Sequence, residues 1–159
     1  MARMPEKSVP LERIRPLKAE DLSEVVRIDG LHTGLRKRAY WSRVFERFLK
    51  RDGRAARIGL GVEAPKGLAG YLLGEVRAFE FGSEPCGWIF AVGVDPNSER
   101  RGVASLLLAE AVARFQAHGI PRIRTMVRRN DVPVLAFFRG NGFRGGPFVQ
   151  LELNVEEVA

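Results

Sequence analysis

Between residues 55 and 118 the spacing of apolar side chains switches from a period of two to a helical period, and that switch constrains the fold more than any other feature. Residues 55–64, 68–79 and 88–94 read as strands, joined by Pro65-Lys66-Gly67 and by Gly82-Ser83-Glu84-Pro85. Joints this short connect antiparallel neighbours. An amphipathic helix over 102–118 follows, with Ala104, Leu107, Leu108, Ala111, Val112 and Phe115 on one stripe and Gly119 at its end. A helix placed directly after a strand acts as a crossover, so parallel pairing is expected beyond it.

On the amino-terminal side, 11–17 predicts a short strand that Pro16 closes. Leu22, Val25 and Val26 predict a helix ending at Gly30. Trp41, Val44, Phe45 and Phe48 predict a second helix over 38–49, before the breaker Asp52-Gly53. On the carboxyl-terminal side, a strand over 122–127, a helix over 132–139 and a strand over 148–153 are expected. The order is β-α-α-β-β-β-α-β-α-β. It specifies an α/β (α+β mixed) fold, a mixed central sheet of about six to seven strands flanked by about four helices. Residues 1–10, with Pro5, Lys7 and Pro10, read as a flexible tail, and 11–159 as one domain, the size that 159 residues suits.

Composition removes several classes of function. Cys86 is the single cysteine, and with two histidines it cannot build a disulfide scaffold or a zinc finger, so no metal is expected. No apolar run approaches the roughly 18 residues of a membrane span, and MARMPEKSVP lacks the apolar stretch of a signal peptide, so a cytoplasmic protein without membrane association is expected. Lys and Arg number 26 against 19 Asp and Glu, a net charge of +7 that favours anionic partners. Nucleic acid is not expected among them, because no basic recognition helix or basic strand face with interleaved aromatics is present.

The segment WIFAVGVDPNSERRGVASLLLAEAV is the most informative. A strand ends at Val94, Asp95-Pro96 turns the chain, and Arg100, Arg101 and Gly102 open directly into a helix. First-turn amides lack intrahelical partners and the dipole adds partial positive charge, which suits a phosphate. Neither GxxxxGK[ST] nor GxGxxG is present. Val94-Asp95-Pro96 followed by Glu99-Arg100-Arg101-Gly102-Val103-Ala104 resembles the acyl-coenzyme A binding motif of the GNAT (GCN5-related) N-acetyltransferase superfamily, with Glu99 where Gln or Arg is usual. The resemblance continues through NDVPVLAFFRGNGF, where Asn130 or Asp131 caps a helix and Gly142-Phe143 closes the motif. Phe138 stands where the superfamily often carries a proton-donating tyrosine. The likeness covers about 11–153.

The resemblance implies an acetyltransferase that moves an acetyl group from acetyl-CoA to a primary amine by direct attack through a tetrahedral intermediate. It assigns coenzyme binding to Val92, Gly93, Val94, Arg100, Arg101, Gly102, Val103, Ala104, Asn130 and Phe138. The backbone of 92–94 would pair with the pantetheine arm and supply an oxyanion donor. An amine attacks only when neutral, so a base is needed. Glu75, mid-strand in LLGEVRAF, is the first candidate ahead of Glu80 and Glu84, its alternative reading being an exposed face paired with Arg77. Tyr40 is the candidate for the donor missing at Phe138, and Tyr71 reads as sheet packing.

Other residues weigh less. Cys86 reads as a buried inert thiol, His32 as a loop residue between the first two helices, and His118 as a helix-end residue. Arg36, Arg38, Tyr40 and Trp41 are candidates for recognising an acceptor that bears a carboxylate or phosphate, the acceptor being a small molecule or peptide with an amine. A homodimer is plausible along the sheet edge. The alternative reading, from a different class, is a non-catalytic acyl-CoA-binding module or sensor.

Overall fold

The computed structural model describes residues 13–50, 56–99 and 101–158. The expected tail at 1–10, the start of the strand at 11–17, the Asp52-Gly53 breaker and Arg100 lie outside them. The chain divides into two compact units, the first ending at Met126 and the second starting at Val127.

The first unit contains β1 (Ile14–Pro16), α1 (Leu22–Thr33), α2 (Arg38–Leu49), β2 (Arg57–Glu63), β3 (Leu68–Arg77), β4 (Cys86–Val94), α3 (Val103–Ala117) and β5 (Ile123–Arg124). The strands form one sheet in the order β1-β2-β3-β4-β5. The short joints give antiparallel pairs from β2 to β4, β1 pairs antiparallel with β2 across the two intervening helices, and the α3 crossover makes β4 and β5 parallel. Five strands are found among the described residues, fewer than the six to seven expected.

Alternation along β3 sends Tyr71 and Leu73 to one face, where they pack with Val25, Val26 and Ile28 of α1 and Trp41, Val44 and Phe45 of α2. The opposite face carries α3, whose Leu107, Leu108, Ala111 and Phe115 are buried. Each large side chain buried this way contributes about 1.5–3 kcal/mol. A Cβ on Gly70 would stand 2.8 Å from Val103 Cγ1, so the bare backbone of β3 lets the first turn of α3 settle onto the sheet. That contact fixes where the helix begins.

α1 does not end at Gly30, as its sequence suggests, but runs to Thr33. The left-handed residue is Gly34, at φ 76°, whose N–H donates to Gly30 C=O at 2.8 Å. A glycine inside a helix costs stability without stopping it, whereas one that supplies the left-handed conformation does stop it.

The second unit contains α4 (Val132–Gly140). Asp131, not Asn130, is its cap, accepting from Val134 N–H at 3.3 Å. Gly142, at φ 90°, ends it, with Phe143 N–H donating to Phe138 C=O at 3.0 Å. Phe138 is buried edge-on to Phe137 and Phe143. Residues 148–153 form no strand, contrary to expectation, and Val149, Leu151 and Leu153 are exposed. A period of two permits a strand, but only a neighbouring ladder makes one.

Candidate functional site

β4 and β5 pair over two positions only, Gly87 with Ile123 and Trp88 with Arg124. Thr125 Oγ1 then donates to Ile89 C=O at 2.9 Å, and the ladder ends. On the other side β4 stays paired with β3 to Val94, through a bulge that leaves Phe90 without an opposite residue. Asp95 N–H donates to Ala69 C=O, near the start of β3, at 2.8 Å. Alternation therefore turns the backbone groups of Val92 and Val94 away from β3, toward the side from which β5 has diverged. This opening is where the sequence expects a bound chain to pair.

His32 reaches the same edge. It lies in the last turn of α1, not in the loop expected from sequence, and its Nε2 is 2.6 Å from Val94 C=O. A carbonyl oxygen only accepts, so Nε2 carries the proton.

Beyond β4, Asp95 accepts from Asn97 N–H at 2.8 Å and opens a single 3-10 turn over Pro96–Ser98. Asp95 also receives Arg27 Nη2 at 2.6 Å, and Arg27 grips Glu24 at 2.7 Å. Burial pushes the Asp95 carboxyl up, but Arg27 and the Asn97 amide pull harder and hold it below the usual carboxylate range. This buried charge ties the turn before α3 to α1.

Gly102 is the cap residue of α3 at φ 75°, a conformation that side-chain-bearing residues rarely adopt. The first helical bond runs from Leu106 N–H to Gly102 C=O at 2.9 Å, so the amides of Val103, Ala104 and Ser105 precede it. A Cβ placed on Gly102 meets no atom of the described residues within 4 Å. Arg101 and Glu99 are exposed nearby. Geometry and charge here fit a diphosphate.

A cleft of about 450 Å³ lies on the α2 side of the sheet, lined by Tyr40, Arg43, Val44, Arg47, Glu75, Arg77 and Phe90. Helical spacing puts 40, 43, 44 and 47 on one face of α2, and strand alternation puts 75 and 77 on one face of β3. The bulge presents Phe90 from β4, edge-on to Phe48 at 5.5 Å. Both expected catalytic residues, Glu75 and Tyr40, are therefore brought together. Glu75 is ringed loosely, with Arg77 Nε at 3.7 Å and Arg47 Nη2 at 3.8 Å, so the expected Arg77 pairing is present as well.

Other candidates fall elsewhere. Tyr71 is buried over Gly93, where a Cβ would come within 2.5 Å of its ring, and burial, together with Asp29, pushes its phenol upward. It packs the sheet, as its sequence context suggests. Trp41 is a core residue whose Nε1–H donates to Asp29 at 2.9 Å. Arg36 is exposed, and Arg38 reaches Ser23 Oγ at 3.4 Å, so of the expected acceptor contacts Tyr40 alone lines the cleft. Cys86 is buried and free, Glu80 and Glu84 are exposed, and His118 Nδ1 lies 2.8 Å from Arg114 C=O at the end of α3. Asn130 is exposed in the second unit. Arg43, Arg47 and Phe90 were missed from sequence. The recurrence of arginine at Tyr40+3 and +7 was the available signal for the first two, whereas a bulge leaves none.

The family model described as "Acetyltransferase (GNAT) family" matches residues 24–143, more than half of the chain. The mycothiol acetyltransferase of Saccharomonospora viridis is 29% identical over 63 residues, 40% of this chain. The chain spans about a fifth of that relative's length, 21%. Among solved structures, AAC(6')-Iy in complex with the bisubstrate analogue CoA-S-monomethyl-acetylneamine superposes with a TM-score of 0.75 at 17% identity, covering 89% of this chain and 96% of that one. The aminoglycoside antibiotic 6'-N-acetyltransferase AAC(6')-IG from Acinetobacter haemolyticus gives 0.70 at 18%, covering 89% and 98%. At such identities the likeness is one of fold. Among the described residues no helix is long and apolar enough to cross a membrane.

Proposed function

The chain belongs to the acetyltransferase (GNAT) family, and from that premise we propose that it transfers the acetyl group of acetyl-CoA to a primary amine bound in the cleft of Tyr40 and Glu75. The divergence of β5 from β4 is the observation that carries this reading, because it exposes a strand edge beside both the anion cradle and the cleft. Coenzyme A supplies an acetyl thioester. The amides of Val103 and Ala104, the bare backbone of Gly102 and the charges of Arg100 and Arg101 hold its diphosphate. Val92 and Val94 hydrogen-bond the arm and direct an N–H at the thioester oxygen, which gains charge as the amine attacks.

Glu75 takes the proton of the incoming ammonium, directly or through water, so that the nitrogen lone pair is free. The C–N bond forms, the C–S bond breaks, the nitrogen gives its second proton to solvent, and the released thiolate recovers a proton from solvent or from Tyr40, which solvent then reprotonates. Phe138, a phenyl ring, donates none. A lone buried thiol suits a reducing compartment, which supports a cytoplasmic setting.

Gly102→Glu tests the cradle. Among the described residues nothing lies within 4 Å of a Cβ there, but at φ 75° any side chain is strained. Gly102→Ala, which carries the same strain without the charge, is therefore the control for the carboxylate that Glu brings to the diphosphate position. Calorimetry is expected to find coenzyme A affinity at least about a hundredfold lower, an effect of about 2.7 kcal/mol. Unchanged affinity overturns the assignment. Thiol release across an amine panel then separates a transferase from a protein that only binds acyl-CoA.

A further inference from the structure

Resting on the proposed acceptor role of the cleft, we propose that the acceptor carries an oxyanion, a carboxylate or phosphate, in addition to its amine. Three arginines, Arg43, Arg47 and Arg77, line a space containing one carboxylate, Glu75. Three positive charges against one negative leave an excess of two. Glu75 does not consume the donors, since its contacts with Arg47 and Arg77 are 3.8 and 3.7 Å, well beyond the length of a charge-assisted hydrogen bond. A guanidinium offers five N–H donors, so each arginine keeps a fork for a second anion.

The scaffold holds these forks in place. Arg77 lies over the Trp88 ring at 4.9 Å and Arg47 over Phe48 at 5.6 Å, which limits the rotamers each must give up on binding. Arg43 is exposed on the same face of α2 as Tyr40 and Arg47, and no ion-pair partner is found for it among the described residues. The arrangement gives the two ends of an acceptor different partners: an amine at Glu75 and Tyr40, an oxyanion at Arg43 and its neighbours. A polycationic amine meets net repulsion in the same space.

The test is calorimetric, with paired probes added to the protein with and without coenzyme A: amino acids against their amides, phosphoethanolamine against ethanolamine, and spermine. In at least one pair the acid-bearing member is expected to bind about tenfold more tightly or better than its neutral partner, with the gap narrowing at high salt. Arg43→Gln and Arg77→Gln should shrink that gap, with melting curves confirming the fold. Neutral members binding as well as their acids in every pair, or spermine binding most tightly, overturns the inference. Coenzyme A binding without an acid preference defeats the inference alone, whereas failure to bind coenzyme A defeats the functional reading.

Discussion

Glu75 sits where a strand seldom places a carboxylate, one-fifth exposed at its side chain and facing a cleft rather than open solvent. Ion pairing with Arg47 and Arg77 explains its presence only weakly, because contacts of 3.7 and 3.8 Å to partly exposed guanidiniums contribute little stability. A catalytic role gives it a stronger reason. Glu75→Gln keeps the shape and removes the base, so kcat should fall about a hundredfold while the melting temperature barely moves. A variant with wild-type kcat and a lowered melting temperature points instead to a structural ion pair. Tyr71 and Gly93 give the opposite lesson. Tyr71 was readable as packing, whereas Gly93 was expected among the coenzyme-binding residues, and the phenol ring lying across it, which is why a Cβ has no room there, exists only in three dimensions.

At the scale of elements, the divergence of β4 from β5 leaves one edge of an apolar strand without a ladder, and that edge is the proposed binding surface. Backbone donors that would be satisfied in a continuous sheet are left there without a strand partner. The amides of Val92 and Val94 should therefore exchange with solvent faster than those of Ala91 and Gly93, which face β3, and should slow markedly when coenzyme A is added. Hydrogen exchange with residue resolution measures this, and rates indifferent to coenzyme A would falsify the pairing. The extent of α2 was legible because Trp41, Val44, Phe45 and Phe48 repeat at a strict helical spacing. The end of α1 was not, since two glycines four residues apart offered the same local signal and only the conformation of Gly34 distinguished them. The bulge at Phe90 and the brevity of β5 were equally hidden, because both depend on the register of a partner strand.

For the whole molecule, two nearly buried carboxylates tie distant segments together. Asp21 accepts Arg15 from β1 at 2.7 Å and the Lys18 amide at 2.7 Å, while Asp95 accepts Arg27. For Asp21, as for Asp95, burial raises the carboxyl pKa but the partners outweigh it, so both lie below the ordinary carboxylate value when folded. A depressed folded pKa means the unfolded chain binds protons first. This stability is complete above the unfolded value of about 3.9 and is lost as pH falls through the lower folded values. Urea midpoints should hold steady down to about pH 5 and drop below about pH 4, with a smaller drop in Asp95→Asn. A midpoint that does not change on acidification contradicts the role given to both groups. The sequence by itself determined the element order as far as α4, the strand-turn-helix at Gly102 and the family, because periodicity, turn residues and first-turn amides are local properties of the chain. Only the tertiary structure decided that β5 leaves β4 after two pairs and that Tyr40, Arg43, Arg47, Glu75, Arg77 and Phe90 share one cleft. Those facts depend on which strands pair and which faces meet, and no local stretch of sequence contains them.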